Sequence, residues 1–181
     1  MPISSTYEDR VRVALEALGI PVELVRARGL PLFVEAKTLV VAEIDAPGRE
    51  QRLAPAAASA WSTMKAAAAG AGVDLHLVSA FRSFDRQCEI VRDKLAGGQS
   101  LEQILAVNAP PGYSEHHTGR AVDIGSKPDD SLEEAFDESE AYAWLSVHGA
   151  RYGYFLSYPN GNPHGYRYEP WHWLHREASR R

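Results

Sequence analysis

The stretch PGYSEHHTGRAVDIG, residues 111–125, decides how the rest of the chain is read. Ala121 to Ile124 is a short β-prone run, and Gly119 just before it allows a tight turn. His116 can therefore sit on a loop while Asp123 projects from the strand behind it. A second stretch, EPWH at 169–172, adds Glu169 and His172 near the other end. A catalytic zinc site draws three protein ligands from His, Asp, Glu and Cys and leaves a fourth position to water. His116, Asp123 and His172 supply such a two-His, one-carboxylate set. Zn²⁺ with one carboxylate keeps a net charge of about +1, which lowers the pKa of a bound water towards ~7. Glu169, three residues before His172, is spaced to act as general base. The HxxGxAxD pattern of the first stretch alone reads equally well as an ordinary loop-to-strand junction; taken with EPWH it does not.

Outward from these stretches the chain mixes helices and strands. Thr6 and Asp9 form a capping-box pair ahead of Tyr7, Val11, Leu15 and Leu18, which recur at helical spacing up to Gly19. VELV, LFVE and TLVVAEI, between Val22 and Ile44, read as two or three strands of a small meander. Pro47-Gly48 is a turn, and Leu53 to Gly70 an Ala-rich helix. Asp74 to Ala80 reads as a buried strand, and Ser83 to Leu95 as an amphipathic helix. A shorter helix, opened by the capping pair Ser100 and Gln103, runs to Val107. Residues 126–140, with seven acids and one Lys, read as a solvated loop without Ca²⁺-loop spacing. Ser139 to His148 is a helix, Gly153 to Ser157 a strand, and Tyr166 to Leu174 the last strand-bearing segment. Without regular βαβ alternation, the order points to an α+β fold: a small, mostly antiparallel central sheet flanked by helices.

The 181 residues suit one domain, 1–181. A formal net charge of −5 argues against a dedicated nucleic-acid binder. Single Cys88 excludes an internal disulfide. Charged residues interrupt the N-terminus every few positions, so it does not read as a signal peptide, and no apolar run is long enough to span a membrane. As written the chain is expected to be cytoplasmic; with an export signal removed it would be periplasmic or extracellular. Its oligomeric state is not encoded in any of these features.

Together SAFRSFDRQ (79–87), PGYSEHHTGRAVDIG and GYRYEPWHW (165–173) resemble the signature blocks of VanY-type zinc D-alanyl-D-alanine carboxypeptidases. That family shares its fold with the D-Ala-D-Ala dipeptidases and the Hedgehog signalling domain. The resemblance covers residues 54–175, leaving 1–50 as an N-terminal extension or cap. It implies one Zn²⁺ held by His116, Asp123 and His172, with Glu169 as catalytic base. It further implies Arg82 as stabiliser of the oxyanion, and Gln87 and Ser114 as residues that help hold substrate. The implied partner is a peptidoglycan stem peptide or its precursor, from which a C-terminal D-Ala is removed. L,D-carboxypeptidase, lysin-type endopeptidase and a Hedgehog-like zinc-containing binding module are the alternatives. His117, Arg120 and Phe81 depart from the family's usual Gln, apolar residue and Tyr. The first two are expected to add positive charge near the pocket.

Overall fold

The computed structural model describes residues 6–45, 48–126 and 132–177. Its centre is β4 (Ala121–Gly125), buried along its whole length. It lies between β3 (His76–Ser79) and β6 (His172–His175), and β5 (Tyr154–Leu156) adds to the far side of β6. Every pairing is antiparallel. Successive strand residues face opposite sides. Val122 and Ile124 accordingly enter a core with Leu77, Tyr154 and Trp173, while Asp123 faces the other way. Helix α3 (Pro55–Gly70) covers that core with Ala57, Trp61, Met64 and Ala68, spaced as one helical stripe. Pro55 occupies the first turn, where its missing N–H leaves no bond unmade. The Tyr154 hydroxyl donates to the Ala57 carbonyl at 2.9 Å, tying sheet to helix. Ala141 and Leu145 of α6 (Glu140–His148) close the same core. This is the α+β, antiparallel arrangement expected from the sequence.

A second core joins α1 (Tyr7–Ala17), α2 (Val22–Ala27), α4 (Phe84–Ala96) and α5 (Leu101–Leu105). The capping boxes at Thr6/Asp9 and Ser100/Gln103 both form. Here the expected meander gives way. VELV is helical: the Pro21 carbonyl ahead of it accepts from Leu24 N–H at 3.1 Å, and Val25 turns into the second core. LFVE is extended but pairs with a loop instead of a sheet: Phe33 N–H donates to the Gly112 carbonyl and Ala36 N–H to the His117 carbonyl, both at 2.8 Å. What remains is one hairpin of β1 (Val40–Ile44) with β2 (Glu50–Leu53). Leu53, expected to open the helix, ends β2 instead. Pro47 of the expected turn lies outside the described residues, as do 127–131 of the expected acidic loop. Within the described part of that loop, Glu134–Glu138 forms a 3-10 turn whose Phe136 is buried in the first core. No described helix is long and apolar enough to cross a membrane.

Candidate metal centre and active site

Register builds most of the site. Asp123 pairs across the sheet with His172 on one side and Ser79 on the other. Directly opposed residues share a face, so these three side chains form one row. An irregularity in β3 between Leu77 and Ser79 brings Ser79 into that row. His116 arrives from a 3-10 turn, Glu115–Thr118, that ends at Gly119 with φ +63°. A Cβ at Gly119 would stand 2.8 Å from Leu39 Cδ2 and 3.0 Å from the Ala54 nitrogen. Only glycine meets both the left-handed backbone and the close approach.

The three donor residues are buried, and their ligating atoms lie within 4.8 Å of one another. His116 Nδ1–H donates to the Ala80 carbonyl at 2.6 Å, which leaves Nε2 bare, 3.3 Å from Asp123 Oδ2. Burial holds His116 below its ordinary pKa and keeps it neutral. His172 Nε2–H donates to Glu115 Oε2 at 2.9 Å, turning Nδ1 toward Asp123 Oδ1, also at 2.9 Å. Burial opposes a charge on His172, but the Asp123 and Glu115 carboxylates more than offset it and lift the ring to about 10. Burial would also raise Asp123; the charged His172 imidazole that donates to it holds it far below the carboxylate range. The chemistry of this donor set fits a metal: two imidazole nitrogens oriented by bonds behind them, one carboxylate, and a cleft in front. A cation arriving there displaces the His172 Nδ1 proton, so its affinity rises with pH.

The cleft has a volume of about 440 Å³, and its wall includes His116, Asp123, His172, Arg82, Ser114 and Glu169. Glu169 Oε2 lies 4.0 Å from His172 Nδ1. Burial, reinforced by the Asp123 and Glu115 charges and countered by His172 and Arg82, pushes its carboxyl up to about 7. Such a group gives and takes protons near neutrality. Arg82 is held by Nη1 to Gln87 Oε1 at 3.2 Å and Nη2 to Ser79 Oγ at 3.1 Å, with Asp123 Oδ2 at 3.8 Å.

Six of the seven expected site residues therefore meet at one cleft. Gln87 does not enter the wall. It is fully buried, spanning from Arg82 to the Ala109 carbonyl, which its Nε2 reaches at 2.7 Å. The charge expected from His117 is also absent. Its Nδ1–H donates to the Arg82 carbonyl at 2.7 Å, its Nε2 accepts from Gly112 N–H at 3.1 Å, and burial depresses its pKa. Arg120 is not part of the cleft wall either. Among the described residues, none before Arg82 lines that wall. Sequence reasoning missed Glu115, the carboxylate behind His172, and Tyr158, whose ring stacks on His172 at 4.8 Å. For Glu115 a signal was present: an acid adjoining a ligand histidine is a ready orienting partner. Of the aromatics near the last strand, Trp173 is core, while Trp171, Tyr166 and Tyr168 line the cleft.

Comparison with known proteins bears on the family and the fold. The family model described as VanY, D-alanyl-D-alanine carboxypeptidase, matches residues 50–177. The chain is 34% identical over 152 residues to YodJ of Bacillus subtilis (strain 168), whose name assigns carboxypeptidase activity provisionally; the match covers 79% of this chain and 55% of YodJ. The chain thus spans about half the length of that curated relative. Among solved structures, the LdcB LD-carboxypeptidase superposes with a TM-score of 0.70 at 32% identity, covering 80% of this chain and 71% of LdcB. A vancomycin-resistance D,D-pentapeptidase VanY variant, solved with Zn(II), gives 0.58 at 27% identity over 80% of this chain and 86% of its own. With its metal-type cluster, buried carboxyl and fixed guanidinium on the matching blocks, this chain belongs to the VanY D-alanyl-D-alanine carboxypeptidase family.

Proposed function

We propose that this protein is a zinc-dependent carboxypeptidase that removes a C-terminal D-alanine from peptidoglycan stem peptides. One observation carries the reading: His116, Asp123 and His172 present oriented donors to a cleft that also holds Glu169 and Arg82. Zn²⁺ held by those three residues would polarise the scissile carbonyl and acidify a water. Glu169, in the same cleft, takes a proton from the attacking water and returns it to the leaving amine. Arg82 keeps its guanidinium fixed through Gln87 and Ser79, ready to donate to the oxygen that gains charge. The cation and Arg82 together favour a substrate ending in a free carboxylate.

The likeness to LdcB favours a second reading, an L,D-carboxypeptidase, within the same chemistry. Amino-acid release from defined muropeptides by zinc-loaded protein separates them, with Glu169→Ala as control. Release of D-Ala from a pentapeptide ending in D-Ala-D-Ala supports the D,D reading. Release from a tetrapeptide ending in one D-Ala supports the L,D reading. Release from neither, at one bound zinc, refutes both.

A further inference from the structure

Arg28 lies outside the cleft, at the end of α2 and before the family-matched region. Its guanidinium nevertheless reaches both backbone segments from which much of the cleft wall is made. Nη1 donates to the Leu105 carbonyl at 2.8 Å, and Val107, Asn108 and Ala109 of the wall follow directly. Nε donates to the His164 carbonyl at 2.6 Å, and wall residues 166–169 follow directly. The face of the guanidinium covers the Tyr166 ring at 4.3 Å. Tyr166 packs on Tyr158 at 4.7 Å between centroids, and Tyr158 stacks on His172. Gln87 pins the far end of the first segment through the Ala109 carbonyl, and Arg167 N–H joins the two segments at the Ala106 carbonyl, 2.9 Å.

We propose that Arg28 is a positioning residue that sets the spacing of the two wall segments, 106–109 and 165–168, and through Tyr166 and Tyr158 the seat of His172. The fork geometry is what the task requires. Two carbonyls in different segments and one ring face must be satisfied at once, which a planar guanidinium does and a lysine ammonium does not. Part of the active site is thereby built by the N-terminal region that precedes the matched family core. The effect on turnover rests on the carboxypeptidase reading; the effect on the wall does not.

The test compares full-length, zinc-loaded wild type with Arg28→Ala and Arg28→Lys, using exposed Arg26→Ala as control. Amide hydrogen exchange is followed in 106–109 and 165–168 and, for reference, in β4 and α3. Exchange in both wall segments is expected to accelerate about tenfold or more in Arg28→Ala, with β4 and α3 unchanged. At one retained metal, kcat/KM on the muropeptide cleaved by wild type is expected to fall about 10- to 100-fold. Lysine should recover little of either. Unchanged exchange in either segment, uniform acceleration across the protein, or an unaltered kcat/KM with active wild type overturns the proposal. Wild type that releases nothing refutes the carboxypeptidase reading, and the exchange pattern still decides the clamp.

Discussion

Glu169→Gln should stop turnover and, in the metal-free protein, raise stability. The Glu169 carboxyl rises from an ordinary 4.5 to about 7, chiefly because its burial disfavours the charge. A group that binds its proton more tightly when folded makes stability fall as pH rises, here from below 4.5 through about 7. Linkage puts the cost of the ionised side chain at about 1 kcal/mol at pH 5 and about 3 kcal/mol at pH 8. Glutamine has the shape of the protonated acid and carries no such penalty. The stability gap between variant and wild type should therefore widen by about 2 kcal/mol from pH 5 to pH 8. For a chain of this size that corresponds to a melting-temperature gap wider by about 4–8 °C. The assay is thermal unfolding of both chelator-treated proteins at the two pH values. The reasoning fails if the gap is the same at both, or if the glutamine variant melts below wild type at pH 8.

Glu115→Gln weakens the charge-assisted bond that orients His172, and chelator competition should show metal affinity lower by about 10- to 100-fold. Gly119→Ala places a side chain in left-handed backbone against Leu39 and Ala54, so chemical denaturation should register a loss of about 1–3 kcal/mol. His117→Ala strands the Gly112 N–H and the Arg82 carbonyl in a buried setting, for a loss of about 2–4 kcal/mol by the same measurement.

What was legible in the sequence was what local pattern controls. Val122 and Ile124 alternate with Asp123, and the ligands sit in short, dense segments, so the core face, the sheet and the donor set could be read directly. Thr6 and Ser100 announced their helices through capping partners three residues on. The failures trace to distant partners. Val22 to Val25 carries β-branched residues, yet the second core offers a helical face for Val25 to fill. Leu32 to Glu35 is strand-like in composition, but Phe33 and the adjoining Ala36 donate to Gly112 and His117, about 80 residues away. Glu50 to Leu53 is too polar to announce a strand and becomes one by pairing with Val40 to Ile44. His117 suggested charge near the pocket, and only the three-dimensional packing shows both its nitrogens committed to backbone.

The pairing of Asp123 with His172 has a consequence for how the chain comes to be competent at all. Side chains on a strand alternate strictly, so a slip of β6 against β4 by one position would set Trp173 opposite Asp123 and carry His172 to the other side. No half-assembled centre lies between these outcomes. Capture of a metal ion by these residues would thus act as a readout of correct strand alignment, and an ion so held would select against misaligned pairings sampled during folding.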